Sequence, residues 1–375
     1  MNILFTRFPL ESAYGGAEVQ TLNLMKGLKE SGHDVMFVGS CPTLLQECRT
    51  ANIECKELDI GPPPVTKWHA ISFLWRKKYM QQSLINKLQT THYKLQTILM
   101  LSITEKILLT PWALQQGIKV YWVEHDRIGH WLTWNPWLPV LRKLSKKITT
   151  IVVSDLSKKM YRDLGWDEKK VVAIPNGVEI KKCSTPSPLP SPQGGGNTLH
   201  IGCIARLTPD KGVDLLIDAV TDTPEVELTI LGRGPKEGYL CKIIKERNLS
   251  NRIRIQSWID DIGDFYSSIN VLALPSREHD PFGMVAAEAM GCGVPVIVTQ
   301  ACGIAGYLHD GVDAVVIPAN SSLALKEAIL KMKTRDVRDR LSENGRKTAK
   351  EKFSLENMVD SYENILSSPS PGGRG

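Results

Sequence analysis

The sequence predicts an α/β protein of two doubly wound, parallel-sheet domains. Three observations predict it. The chain has 375 residues, too many for one ordinary core and enough for two. Short apolar strands alternate with helical patterns in both halves. A Ser-, Pro- and Gly-rich stretch that can bury no core, Ser184–Asn197, separates the halves.

The first half opens with an apolar strand, Ile3–Phe5, and a loop, Gly15-Gly16-Ala17-Glu18. A helix follows, with Val19, Leu22, Leu24, Met25 and Leu28 at helical spacing, and stops at Gly32 before the strand Val35–Val38. Strand, glycine loop, helix, strand is how a doubly wound sheet begins. Helical pattern covers Leu84–Leu101, and Val120–Val123 and Thr149–Val153 read as further strands. The turn Ile174-Pro175-Asn176-Gly177-Val178 closes the domain. The second half reads as strands Leu199–Ile204, Val226–Leu231, Val271–Leu274, Val294–Val298 and Val315–Ile317, with helices between them at Val213–Val220 and near Gly283–Gly291. The last helix, Ser354–Leu366, carries Leu355, Met358, Tyr362 and Ile365 on one face, with Ser354 placed to cap it. The expected division is 1–178, a hinge and linker over 179–198, a second domain over 199–350, a terminal helix over 351–367 returning to the first domain, and a tail over 368–375.

Composition removes several classes. No run of eighteen apolar residues exists, so no spanning helix is expected. The start Met-Asn-Ile-Leu-Phe-Thr-Arg-Phe lacks the parts of a signal peptide, and the expected location is cytoplasmic. Among eight cysteines, Cys41, Cys48 and Cys55 recur every seven residues and no Cys-x-x-Cys occurs, so reduced thiols and no metal are expected. A net charge of +6 without a recognisable module argues against nucleic acid as a partner. The charge is uneven: between Lys67 and Lys119 the only acid is Glu105. Arg142, Lys143, Lys146 and Lys147 form a second basic cluster just after Trp131, Trp134 and Trp137. Such a surface either meets an anionic membrane or acceptor, or is a solvated face beside a core.

The chemistry concentrates in Pro275–Pro295. A polar loop leads from a strand into an apolar helix, with Asp280 where an N-cap stands and Pro281 at the first helical position. The N–H groups of Phe282, Gly283 and Met284 would then face an anion such as a diphosphate. Glu288 sits among Val285, Ala286, Ala287, Ala289 and Met290, where a carboxylate needs a partner. A ribose diol or a lysine would satisfy it.

This segment resembles the signature of the retaining glycosyltransferases of family 4, the glycogen-synthase-like group 1 enzymes of GT-B fold. That pattern has an acid, Pro-Phe-Gly, a glutamate eight positions after the acid, then Ala-Met-x-x-Gly-x-Pro-Val. Asp280-Pro281-Phe282-Gly283 through Glu288-Ala289-Met290 to Val296 matches it, with Asp280 in place of the usual glutamate. Further pieces follow the same order. Gly202–Leu207 with Asp210-Lys211-Gly212 is similar to the loop whose arginine and lysine hold the donor diphosphate, here Arg206 and Lys211. Gly232-Arg233-Gly234-Pro235 resembles a turn of that family. Gly15 and Gly16 resemble its glycine loop near the donor phosphates, and His125, after the strand Val120–Val123, its histidine facing the donor sugar. Taken without the family, Arg206 and Lys211 read as surface charge, Gly15-Gly16 as a tight turn and His125 as a structural residue.

The resemblance implies two Rossmann-like domains facing a central cleft, and transfer, with retention, of a sugar from a nucleotide-diphosphate sugar to a glycan or lipid-linked acceptor in envelope or polysaccharide synthesis. Asp280, Glu288 and His125 are the implied catalytic group. Gly15, Gly16, Arg206, Lys211, Phe282, Gly283, Met284 and Glu288 are the implied donor-binding set. No cofactor or metal is implied, the donor being a substrate. Peripheral contact with the inner face of an anionic membrane is a further expectation. A retaining sugar phosphorylase, a nucleotide-sugar epimerase and a non-catalytic nucleotide-sugar-binding subunit are the rival readings.

Overall fold

The structure is a computed structural model that describes residues 1–9, 15–89, 94–180, 198–259 and 261–368. It divides into two compact units: Met1–Gly177 together with the segment from Leu355, and Val178–Ser354. The Ser184–Asn197 stretch and nearly all of the 368–375 tail lie outside the described residues.

The first unit holds a seven-stranded sheet. Its strands are β1 Asn2–Arg7, β2 Asp34–Gly39, β3 Glu54–Glu57, β4 Thr97–Met100, β5 Lys119–Glu124, β6 Thr149–Val152 and β7 Val171–Ala173. They lie in the order β3-β2-β1-β4-β5-β6-β7, with every pairing parallel. Helices cover both faces, so the central strands are largely apolar: Ile3, Phe5, Phe37, Ile98, Leu99 and Val123 are all buried.

The helix expected over Leu84–Leu101 is corrected. The helix is Lys67–Gln89, and Thr97–Met100 is strand β4, hydrogen-bonded between β1 and β5. A four-residue apolar run buried on both faces has no alternation, so its spacing cannot separate strand from helix.

The C-terminal helix, Leu355–Ser367, completes the first unit by packing on the helix Gly16–Glu30. Met358, Val359, Tyr362 and Leu366 are its buried residues. Glu363 meets His33 Nε2 at 2.8 Å, and the Tyr121 hydroxyl donates to Ile365 O at 3.1 Å. These bonds join residues over two hundred positions apart, so this unit is discontinuous in sequence.

The second unit holds β8 Leu199–Ile204, β9 Val226–Leu231, β10 Ile253–Gln256, β11 Val271–Leu274, β12 Val296–Thr299 and β13 Val315–Ile317. Their order is β10-β9-β8-β11-β12-β13, again all parallel. Both units are therefore Rossmann-like. In each, strand order reverses once, between β1 and β4 in the first and between β8 and β11 in the second. Loops that leave neighbouring strands there diverge to opposite faces and open a crevice, the usual place for a ligand in such sheets.

Cysteine chemistry departs from expectation at one place. Cys41, Cys48, Cys55, Cys203, Cys241 and Cys302 are free thiols, whereas Cys292 is disulfide-bonded.

Candidate active site

In the second unit the loops after β8 and β11 meet at the switch point. The β8 loop carries Arg206 and then Lys211. It is clamped from one side by the Gly232–Pro235 turn: Leu207 N–H donates to Arg233 O at 2.8 Å, and Lys236 N–H donates to Leu207 O at 2.9 Å. The β11 loop, Pro275–Asp280, closes on it from the other. Arg277 N–H donates to Asp210 O at 2.8 Å, and the Arg277 guanidinium pairs with Asp214 at 2.5 Å. Gly212 is left-handed at φ 64°, and a Cβ there would stand 2.2 Å from Pro275 O, so only glycine lets the loops touch.

This stitching brings Lys211 Nζ within 2.6 Å of Asp280 Oδ2, with both side chains largely shielded from solvent. Ser276 Oγ also donates to Asp280 Oδ2, at 3.3 Å. The Asp280 main chain is fixed independently: its N–H donates to Ala301 O at 2.9 Å and its carbonyl accepts from Gly303 N–H at 2.8 Å. The Arg206 side chain extends from the same loop, exposed and without a partner among the described residues, while its carbonyl accepts from Thr208 N–H at 2.8 Å. The result is a fixed, partly desolvated cation on the same loop as an exposed one, at the carboxyl edge of the sheet.

Two expectations about the helix entrance are corrected. The helix is Met284–Gly291 and its N-cap is Gly283, at φ 95°, so Asp280 does not cap it and Pro281 is not its first residue. The positive φ excludes Pro281 and Phe282 from the helical turn. The Phe282 ring instead packs edge-on against Phe353, with centroids 5.5 Å apart, and is fully buried. Phe282 thus anchors the loop with its side chain and offers a ligand only its backbone. The helix end begins at Met284, which is half-buried, and no side chain caps it. Such an end leaves N–H groups for an anion.

Glu288 lies one turn into that helix, half-buried. Among the described residues, one of its partners is a tyrosine. The Tyr266 hydroxyl donates to Glu288 Oε2 at 2.7 Å. Burial first, and then the adjacent carboxylate, pushes the Tyr266 pKa well above its ordinary value, so the hydroxyl stays a donor. Tyr266 sits on the short helix Ile262–Ser268, and no spacing in the sequence links it to Glu288.

In the first unit the predicted residues lie after β1 and after β5, at the carboxyl edge of the sheet. Gly15 precedes the helix Gly16–Glu30, whose first turn contains Glu18. Glu18 Oε2 accepts from Gly15 N–H at 3.2 Å, while Oε1 binds Arg7 Nη2 at 2.6 Å. Arg7 ends β1, so one buried ion pair ties the glycine turn to the sheet. His125 follows β5. Burial, chiefly, with the charges of Arg7 and Lys106, lowers its pKa to about 4, and the imidazole is neutral at pH 7. Beneath it, Lys106 Nζ pairs with Glu124 Oε1 at 2.9 Å, both almost fully buried. Glu105 is fully buried, and burial raises its pKa to about 7 despite N–H donors from Leu101 and Ser102. Arg7 Nε, Glu105 Oε2 and His125 Nδ1 are shielded and have no hydrogen-bond partner among the described residues. Sequence reasoning assigned no site role to Arg7, Glu105, Lys106 and Glu124, because no motif spacing links Arg7 to Glu18 or Lys106 to Glu124.

Two family descriptions match the chain: "Glycosyltransferase Family 4" over residues 14–182 and "Glycosyl transferases group 1" over residues 195–348. The chain is 29% identical over 215 residues to the lipopolysaccharide core biosynthesis glycosyltransferase LpsE of Rhizobium meliloti, covering 55% of this chain and 60% of that one. It is 32% identical over 240 residues to the phosphatidyl-myo-inositol mannosyltransferase of Mycobacterium leprae, covering 61% of this chain and 62% of that one. The matched stretches thus span less than two thirds of these curated relatives. The crystal structure of Anabaena HepE in complex with UDP superposes over 98% of this chain and 100% of its own, with a TM-score of 0.81 at 21% identity. That likeness concerns the fold.

Proposed function

The chain belongs to the group 1, family 4 type of glycosyltransferases, and from that premise we propose that it moves a sugar, with retained configuration, from a nucleotide-diphosphate sugar to a glycan or lipid-linked acceptor of the cell envelope. The observation that carries this reading is the contact of Lys211 Nζ with Asp280 Oδ2 at 2.6 Å at the β8–β11 switch point. One ammonium there has three N–H donors, enough to hold Asp280 and a phosphate oxygen together.

The proposed chemistry follows from where charge develops. As the glycosidic bond breaks, negative charge grows on the leaving diphosphate. Lys211, Arg206 and the helix end at Gly283–Met284 stabilise it, so the reading assigns no metal. The diphosphate then accepts the proton of the incoming hydroxyl on the same face, which retains configuration. Glu288, oriented by Tyr266, accepts hydrogen bonds from the ribose diol. Asp280 positions the donor sugar. Gly15, Gly16 and His125 take the donor-facing roles that the family resemblance gives them, and His125 acts as a neutral hydrogen-bonding group. The relatives named for lipopolysaccharide core and phosphatidylinositol chemistry favour a lipid-linked acceptor, and the HepE complex favours a uridine diphosphate donor. Contact with an anionic membrane surface belongs to the same reading.

The test is product analysis on purified protein with a panel of nucleotide sugars and a lipid-linked acceptor. Release of nucleoside diphosphate, an α-linked product from an α-linked donor, and loss of both in Arg206→Ala and Lys211→Ala are expected. Production of a sugar phosphate in place of nucleoside diphosphate rejects the reading.

A further inference from the structure

The helix Lys67–Gln89 has two apolar faces, and the fold uses only one. Ala70, Phe73, Met80, Leu84 and Leu88 are buried in the first unit's core. Opposite them, Trp68 is 79% exposed, Trp75 75% and Tyr79 78%, with Ile71 and Leu74 half in solvent beside them. At 100° per residue these five fall within one arc of the helix. Large aromatic side chains in such numbers are rarely left in water on one helix without a partner.

The charge says what the partner is. The helix has no acid, and its bases are Lys67, Arg76, Lys77, Lys78 and Lys87. It is joined to the second basic cluster through Trp137, whose indole N–H donates to Ala70 O at 3.0 Å and whose ring meets Phe73 edge-on at 5.0 Å. Trp134, 78% exposed, and the helix Leu138–Ser145 with Arg142 and Lys143 therefore adjoin it. A second copy of an acid-free, basic face would be repelled by this one. An anionic bilayer surface attracts it, and aromatic rings settle at the headgroup boundary. No described helix is long and apolar enough to cross a membrane, so the geometry is that of a helix lying in the interface plane.

We propose that the helix Lys67–Gln89 docks flat on an anionic lipid surface, with Trp68, Trp75 and Tyr79 entering the headgroup boundary and Lys67 and Lys78 meeting lipid phosphates. This deepens the membrane contact named above and rests on that part of the reading alone, independent of sugar transfer.

The full chain is floated with vesicles of phosphatidylcholine alone and of phosphatidylcholine with phosphatidylglycerol, at low and high salt, and sedimented in their absence. Flotation only with the anionic vesicles, weakened by salt, is expected. The exposed-face variant Trp68→Ser/Trp75→Ser/Tyr79→Ser should lower vesicle affinity by about tenfold or more, and Lys67→Glu/Lys78→Glu should lower it on anionic vesicles. Both should keep the wild-type melting temperature and nucleoside diphosphate release, which report the fold and the transfer reading separately. The proposal is overturned if wild-type protein ignores anionic vesicles at low salt, if the aromatic variant floats as well as wild type, or if wild type sediments as a dimer that the aromatic variant breaks.

Discussion

The Tyr266 hydroxyl donates to Glu288 Oε2 at 2.7 Å and stands 3.3 Å from Val285 O. The bond fixes one carboxylate oxygen of Glu288. Glu288 is therefore pre-oriented before any donor arrives, which removes an ordering cost from binding.

Loss of that orientation should cost less than loss of the carboxylate. Tyr266→Phe removes a net hydrogen bond of about 1 kcal/mol, so donor affinity should fall roughly 2- to 10-fold with kcat nearly kept. Glu288→Ala removes the proposed ribose partner and should lower kcat/KM by about 100-fold or more. Isothermal titration with the nucleotide sugar and initial rates check the two. Unchanged turnover in a folded Glu288→Ala protein rejects the proposed donor site.

Lys211 and Asp280 should behave as a unit. Truncating either leaves the other charged and poorly compensated in a shielded place. Lys211→Ala and Asp280→Ala should each lower kcat/KM by about two orders of magnitude, and the double variant by little more, because the second change removes nothing still intact. Asp280→Glu restores the family's usual acid on a main chain already fixed by Ala301 and Gly303, and should keep activity within about tenfold of wild type. A double-mutant cycle on initial rates measures the coupling, and strict additivity would show that the ion pair has no part in turnover.

The buried groups of the first unit predict an opposed pair of pH effects. His125, lowered from 6.5 to about 4, binds protons in the unfolded state that it refuses when folded. Its contribution to stability is present above pH 6.5 and is lost as pH falls towards 4. Glu105, raised from 4.5 to about 7, has the opposite sign: its contribution is present below pH 4.5 and is lost as pH rises towards 7. Between pH 4.5 and 6.5 the two slopes oppose one another, and the wild type should change little on their account. Glu105→Gln keeps the acceptor for Leu101 and Ser102 N–H, and its melting temperature should rise from pH 5 to pH 7 relative to wild type. His125→Gln should show a relative fall over the same interval. Melting curves at both pH values decide it, and parallel profiles for all three proteins reject both shifts.

Much of this molecule is written in local pattern. The strands Leu199–Ile204, Val226–Leu231, Val271–Leu274 and Val315–Ile317 have the bounds their apolar runs predict, because a strand buried on both faces is a short run bounded by turns. The same physics hid β4, where an apolar run sits close behind a genuine helix. The family resemblance singled out Arg206, Lys211, Asp280 and Glu288, and the structure sets Lys211 against Asp280. Tyr266, Arg7 and Lys106 were not singled out, since their partners are set by packing across the sheet and leave no spacing behind. The outer face of the helix Lys67–Gln89 escaped notice for another reason. A helix apolar on two sides shows little net amphipathicity, and only the structure separates the face in the core from the face in solvent.

The Pro281–Gly283 entrance gives the last expectation. Gly283 adopts φ 95°, and a Cβ there would lie 2.4 Å from Cys302 Sγ and 3.4 Å from Ile304 Cγ2. Cys302 is fully buried and its main chain pairs with Asp280, so it has nowhere to retreat. Gly283→Ala carries two costs: a left-handed conformation, about 1–2 kcal/mol, and a steric clash of about 1–3 kcal/mol. Removing the sulfur in Gly283→Ala/Cys302→Ala should relieve the second and leave the first, so the double variant should be more stable than Gly283→Ala yet less stable than Cys302→Ala. Urea unfolding of the four proteins measures this. In the proposed donor site the same turn carries Asp280 and the helix end, so Gly283→Ala should also lose donor affinity, and the double variant should recover only part of it. A Gly283→Ala protein with wild-type stability would mean that the turn accommodates a side chain, and that the helix entrance is looser than its geometry requires.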